Sequence, residues 1–330
     1  MAPMAQLDDL VEAVRTAPGL LSKRDLTVIE RLGADLDGDD AALVAHGDGF
    51  VVICGEAISP PFVAADPFGA GSAAVVTNVS DVRAMGGRPL GVVDMLVAPD
   101  RELAATVLEG IAWASAKLGV PVVGGHLTIG HALSLSASCT GVARRPMRAA
   151  AARPGDVLLA AFATDGRYMS DTQPFFTALH DRPEERLRTD GEALVEVAER
   201  GLCHAARDVS MPGVAGSLLQ MIEGAGAGAT LDLDALPRPD GAPLARWVLT
   251  FPSFGFLLAA APEHADAAVA TFTERGLAAA TCGTFDDTRT LKLRLGGREA
   301  TAWDLAAAPL TGLGPRAGCG GRRPGAGRRS

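Results

Sequence analysis

From Gly71 to Met85 small and apolar residues recur at helical spacing, and Gly86-Gly87 follows where such a helix would close. A helix that is apolar on all sides belongs inside a layered fold, and its small side chains let neighbouring backbones approach closely. Asp81 lies within this stretch. Burying an unpaired charge is costly, so the fold must set a partner against it. The two glycines either free the backbone to approach a ligand or to take positive φ, or serve only to end the helix.

The segments around this helix alternate in type. Leu7 to Val14 has helical spacing and stops at Pro18-Gly19; Ala41–Ala45 and Phe50–Cys54 read as a strand hairpin across the turn His46 to Gly49. Leu90–Val97 reads as a strand, Arg101–Leu118 as a helix closed by Gly119, Pro121–Val123 as a short strand ending in Gly124-Gly125, and Leu133–Ala143 as a strand. A polar, proline-bearing stretch around residue 150 separates this half from a second mixed half. That half has strands at Val157–Ala163, near Leu231, from Trp247 and near Cys282 and Leu291, and helices around 192–200, 213–223 and 265–275. The expected class is α+β in two domains, followed by a Gly-, Pro- and Arg-rich tail with little to bury.

With 330 residues, 48% hydrophobic and 21% charged, the chain has ample material for two cores. Acidic residues stand near the start where a secretory leader would carry basic ones, and no apolar run approaches a membrane span, which places the chain in the cytoplasm. Five widely spaced cysteines without a C-x-x-C pattern indicate neither a disulfide framework nor a zinc knuckle. A net charge of -9 argues against general nucleic-acid affinity and favours metal cations as partners of local acidic clusters.

Four segments carry candidate chemistry. Asp35, Asp37, Asp39 and Asp40 precede an apolar strand; they form either a seat for Mg²⁺, which prefers hard oxygen ligands, or an exposed acidic turn. Thr77 to Gly87 contains Asn78, Asp81, Gly86 and Gly87. Gly124, Gly125, His126 and Thr128 form a strand-to-turn passage that either offers N–H groups to phosphate or is an ordinary loop. Asp208 and Ser210 stand before a Gly-bearing helix start, as an anion site or as an N-cap. Lys23 is one of only three lysines against 27 arginines, and it either reaches a phosphate or flanks a helix in solvent.

In this order the segments resemble the PurM-like superfamily of aminoimidazole ribonucleotide synthase, thiamine-monophosphate kinase, selenophosphate synthetase and the hydrogenase maturation protein HypE. The resemblance covers about residues 20 to 290. It rests on Asp39-Asp-Ala-Ala-Leu43, Asp66-Pro-Phe-Gly69, Thr77 to Gly87 and Gly124-Gly-His126. It implies a PurM-like fold in which an N-terminal α/β domain forms a dimeric β-barrel and a C-terminal α/β sandwich domain follows. The implied limits are an N-terminal arm at 1–24, an ATP-binding and dimerisation domain at 25–148, a C-terminal domain at 149–310 and a disordered tail at 311–330.

The resemblance also implies Mg²⁺ held by Asp39, Asp40, Asp81 and Asp208, catalytic roles for Lys23 and Asp81, and nucleotide contacts from Glu56, Asn78, Gly86, Gly87, Gly124, Gly125, His126 and Thr128. Glu56 stands where the superfamily usually has the Asp of a TTD motif. No cysteine precedes Cys54, His126 replaces an Asp, and Gly-Cys319-Gly-Gly differs from the HypE terminus, so each named activity loses a diagnostic element. Lys-Arg-Asp25, Asp208 to Gly213 and Phe251 to Phe256 look most like the branch described as aminoimidazole ribonucleotide synthase-related. The expected function is ATP-dependent phosphorylation or activation of a small metabolite by a cytoplasmic homodimer. The alternatives are a non-catalytic ATP-binding sensor, or a divergent thiamine-monophosphate kinase-like or selenophosphate synthetase-like enzyme.

Overall fold

A computed structural model describes residues 3–32, 38–171 and 174–314. Asp35, Asp37, Cys319 and the Arg-rich tail lie outside these residues. The chain is led by α1 (Pro3–Thr16), α2 (Pro18–Leu21) and a 3-10 helix, Ser22–Leu32. Leu7, Leu10, Val11 and Val14, spaced along one face of α1, are all buried in a core shared with the second half of the chain. Arg15 fastens this arm by donating to the carbonyls of Thr301 and Ala302.

The first half comprises β1 (Ala42–His46), β2 (Gly49–Ile58), α3 (Pro60–Ala65), α4 (Pro67–Ala84), β3 (Arg88–Ala98), α5 (Arg101–Leu118), β4 (Val122–Ile129) and β5 (Ser134–Ala143). Its five strands form one sheet in the order β1-β2-β5-β3-β4, antiparallel except for the β3–β4 pair. α4 and α5 cover one face. The expected buried helix is α4: the Asp66 side chain accepts from Gly69 N–H at 2.8 Å at its start. Gly86, at φ +69°, ends it, with Gly86 N–H bonded to Arg83 O and Gly87 N–H to Val82 O. Glycines also set the spacing between the helices, because a Cβ at Gly71 would lie 2.1 Å from Val107 O and one at Gly110 2.1 Å from Phe68 O.

The second half comprises β6 (Val157–Phe162), β7 (Arg167–Tyr168), β8 (Phe175–Thr177), α6 (Glu184–Thr189), α7 (Glu192–Glu199), β9 (Ala205–Asp208), α8 (Gly213–Ala225) and β10 (Gly228–Asp232). It continues with α9 (Leu244–Val248), β11 (Phe251–Pro252), β12 (Gly255–Ala260), α10 (Ala265–Thr273), β13 (Ala278–Asp286), β14 (Thr290–Leu295) and β15 (Arg298–Asp304). Seven strands form a sheet in the order β15-β14-β10-β13-β6-β12-β9, and β11, β8 and β7 make a small one. Leu158, Ala160 and Phe162 face the core beneath α1 and α8, while Leu159 and Ala161 face the core beneath α7 and α10. Burial on both faces explains why β6 reads as one unbroken apolar run.

The α+β class is that expected from the sequence. Two local readings change. Trp247 belongs to the buried helical turn α9 rather than to a strand, its indole N–H donating to Pro237 O, and the strand starts at Gly255. A short apolar run fits either element, and here the helical turn prevails. β4 does not stop at Gly124 but runs on through the glycines to Ile129. Cys54, Cys139, Cys203 and Cys282 are buried and free. Among the described residues no helix is long and apolar enough to cross a membrane.

Beyond β15 the chain is tied back by Glu223, a buried carboxylate on α8 that accepts from the N–H groups of Leu310, Thr311 and Gly312 and from the Thr311 hydroxyl. This strap places Leu313 against Gly38, since a Cβ at Gly38 would lie 3.4 Å from the Leu313 Cβ.

Candidate functional site

The last turns of α4 lie against β9, the strand at the near edge of the second sheet. Three carboxylates meet at this seam: Asp40 from the loop entering β1, Asp81 from α4, and Asp208, the last residue of β9. One oxygen from each lies within 4.8 Å of the others. Asp81 and Asp208 are each 6% exposed. The Asp208 N–H donates to Asp40 Oδ2 at 3.0 Å. Arg207 Nη2 lies 3.2 Å from Asp40 Oδ1, and its Nη1 donates to Gly38 O at 2.8 Å. Asp81 Oδ2 and Arg207 Nε are buried and lack hydrogen-bond partners among the described residues.

Buried like charges govern the protonation of this group. Burial first, then Asp208, Asp40 and Glu56, push the Asp81 carboxyl well above the usual carboxylate range, against the pull of Arg207. Asp208 is raised equally clearly, by burial and Asp40, against Arg207 and Lys23. Burial also raises Asp40, while Arg207, the Asp208 N–H and Lys23 draw it down. Glu56 stands at the open rim, where the surrounding walls strip enough water to raise its carboxyl although solvent still reaches it. Its even-numbered place on β2 puts it on the same face as Val52 and Cys54, toward α4. Lys23, half-buried in the 3-10 helix, lies within electrostatic range of Asp40, Glu56 and Asp208.

The donor set fits a hard divalent cation. Two opposite ligands of Mg²⁺ at about 2.1 Å span about 4.2 Å, so oxygens already this close need only a small adjustment. Asp81 Oδ2, buried and unpaired, supplies a free acceptor for such an ion.

The structure thus brings Lys23, Asp40, Glu56, Asp81 and Asp208 together. Other sequence candidates lie elsewhere. Asp39 is not one of the three carboxylates that meet, and pairs with Arg148 Nε at 2.9 Å; burial first and then Asp40 raise its carboxyl to about 6. Asn78 is fully buried, its amide donating to Ala74 O at 2.8 Å and its oxygen facing the Cys54 thiol, so it braces α4 against β2. Gly86 and Gly87 are buried caps: a Cβ at Gly86 would stand 2.7 Å from Ala198 Cβ.

Gly124, Gly125, His126 and Thr128 lie on β4, four strand spacings or about 19 Å across the sheet from β1. By register His126 pairs with Met95 and Thr128 with Val97, on the face away from α4. Gly125 clears the Asp94 side chain, whose Oδ1 would lie 2.3 Å from a Cβ there. Ser210 does not cap α8; its N–H is capped by the Ser217 hydroxyl instead. Arg207, which touches Asp40 directly, was hidden in the sequence by the abundance of arginine. Its local signal is its place directly before Asp208, in a strand whose other two residues are alanines.

Residues 38–143 match the family "AIR synthase related protein, N-terminal domain" and residues 154–296 its C-terminal domain. An uncharacterised protein of Synechocystis sp., sll0787, is 34% identical over 93% of this chain and 98% of its own length. Selenide, water dikinase of Myxococcus xanthus is 32% identical over 60% of this chain and 59% of its own. The PurL structure from T. maritima, solved with ATP, superimposes with a TM-score of 0.70 at 24% identity, over 82% of this chain and 46% of PurL. The chain spans about half of PurL, and at that identity the likeness speaks to the fold. With both domain matches falling on the two halves that build the carboxylate seam, this chain belongs to the AIR synthase related protein family.

Proposed function

We propose that this chain is an ATP-dependent enzyme that phosphorylates or activates a small metabolite, with Mg²⁺ held by Asp40, Asp81 and Asp208. The observation that carries the reading is the convergence of these three carboxylates from three separate elements at one buried seam. PurL, which shares the fold, was solved with ATP, and a relative over 60% of this chain is a selenide, water dikinase; both support nucleotide use.

When bound, the cation supplies positive charge to the oxygens of a transferring phosphoryl group. The chain's own residues do the rest. Asp40 is oriented by the Asp208 N–H and by Arg207, so its carboxylate is fixed before any ligand arrives. Burial of Asp81 and Asp208 limits the access of bulk water to their carboxyl groups. Lys23 adds a mobile positive charge at the rim, suited to a phosphate oxygen.

The open face of the first sheet carries exposed Val44, Ile53, Met95 and Val142, an apolar surface of the kind that another molecule covers. We propose that a second copy of the chain covers it.

The test of the enzymatic reading is calorimetric titration with a non-hydrolysable ATP analogue and Mg²⁺, followed by ADP release over a panel of small metabolites. Binding that requires the cation and falls at least tenfold in Asp81→Asn supports it. Absence of nucleotide binding overturns it.

A further inference from the structure

Arg207 is a cation at the seam that is both buried and fixed, whereas Lys23 is half-buried. Its side chain is 8% exposed, and its two terminal nitrogens are committed to Asp40 Oδ1 at 3.2 Å and to Gly38 O at 2.8 Å. It also acts on every carboxyl in the neighbourhood: Asp39, Asp40, Glu56, Asp81 and Asp208 all feel its charge. Lys23 reaches Asp40, Glu56 and Asp208 from the more open side. Guanidinium stays protonated in proteins and is weakly hydrated, so this positive charge is permanent where an ammonium could be neutralised by burial.

The position of that charge matters more than its presence. In sites that hold two divalent ions, the ions stand about 3.5–4 Å apart. A shared carboxylate is suited to bridging such ions, because its two oxygens can serve one ion each. Asp40 is one of the three carboxylates of the seam, with Asp81 on α4 and Asp208 on β9. Both of its oxygens are already engaged, Oδ2 by the Asp208 N–H and Oδ1 by Arg207. Lone pairs remain on each oxygen for one cation beside Asp81 and Asp208, but the guanidinium fills the flank a second ion would need.

We propose that Arg207 is a built-in counter-cation standing in place of a second metal ion, so that each chain takes a single divalent cation at the Asp40–Asp81–Asp208 seam. This rests on the reading of the three carboxylates as a cation site. Arg207 is here a positioning residue: it holds Asp40 and sets how many ions the seam accepts.

The test uses Mn²⁺ alone, titrated into EDTA-treated, desalted protein, with free Mn²⁺ followed by electron paramagnetic resonance. Wild type is expected to bind one Mn²⁺ per chain. Arg207→Met is expected to bind two, or to bind its first at least tenfold more tightly, whereas Arg207→Lys stays with one. Arg207→Gln keeps a donor for Gly38 or Asp40 without the charge, and is expected to follow Arg207→Met should that variant fold poorly. A second readout is thermal: without metal Arg207→Gln melts below wild type, and Mn²⁺ raises its melting temperature by more than it raises wild type's. One Mn²⁺ of unchanged affinity in wild type, Arg207→Met and Arg207→Gln alike sinks this inference and leaves the cation site standing. Two Mn²⁺ in wild type also sinks it, and no Mn²⁺ in any variant sinks both.

Discussion

The main-chain N–H of Asp208 donates to the side chain of Asp40 across 168 residues of sequence, at 3.0 Å. The contact links the loop that enters the first sheet to the edge strand of the second, and it orients Asp40 from outside its own half of the chain. Asp40→Asn weakens that acceptor and removes a charge from the proposed cation seat. Its affinity for Mn²⁺ is expected to fall at least tenfold, about 1.4 kcal/mol or more, while Asp39→Asn stays within about threefold because Asp39 faces Arg148. Equal losses in the two variants would remove the distinction between these neighbours.

Asp81→Asn is expected to act in opposite directions on stability and on binding. Without metal at pH 8 it removes a carboxyl that burial, Asp208, Asp40 and Glu56 hold above the usual range, and with it the cost of ionising that group or keeping a proton on it, which should raise stability by about 1 kcal/mol and the melting temperature by about 2–4 °C. Nucleotide binding in the presence of Mg²⁺ should be lost. A variant that is less stable without metal would show that Asp81 is held by attractive contacts instead.

The pH dependence follows from the raised carboxyls. Asp40, Asp81 and Asp208 bind protons more tightly in the folded than in the unfolded chain. Their protonated forms therefore contribute stability that is complete below about pH 4 and is lost as the pH rises through the folded values. Asp39 titrates the same way up to about 6. Mg²⁺ in the proposed seat would replace the protons, so the rise in melting temperature that Mg²⁺ produces should be at least twice as large at pH 8 as at pH 5. A rise independent of pH would disprove the coupling.

Gly86→Ala separates a structural glycine from a ligand-contacting one. The residue sits at φ +69° with Ala198 Cβ 2.7 Å from any added Cβ. A loss of about 2–4 kcal/mol is expected in denaturant unfolding. Nucleotide affinity of the folded protein should be unchanged; a selective loss of nucleotide binding with normal stability would return Gly86 to the ligand side.

Ile53→Glu and Met95→Glu place charges on the open apolar face of the first sheet. Sedimentation should find a dimer for wild type and a monomer for the double variant. A monomeric wild type at micromolar concentration would rule out the proposed pairing.

The three carboxylates were legible in the sequence because each sits where its local pattern calls for an apolar or neutral residue: before an apolar strand, inside an apolar helix, at the end of a buried strand. Their convergence was not legible from local pattern, since it depends on how α4 meets β9; the family resemblance implied it. Asn78 shows a second limit. An amide that braces a helix and one that meets a ligand look alike in sequence, and only the Ala74 bond and the Cys54 contact tell them apart. Gly124-Gly125 read as a turn because glycine usually signals one. In β4 at least Gly125 is required for a different reason, clearance over Asp94. Beyond its place directly before Asp208, Arg207 had no distinguishing mark among 27 arginines until its burial was seen.

The strap on Glu223 makes the segment after the last strand part of this chemistry. Glu223 holds residues 310–312, Leu313 backs Gly38, and the Gly38 carbonyl steadies the guanidinium that steadies Asp40. Trimming the protein back to Pro309 would therefore leave a carboxylate stranded within α8 and slacken a relay that ends at the seam. A change far along the polypeptide would be read out as altered ion capture.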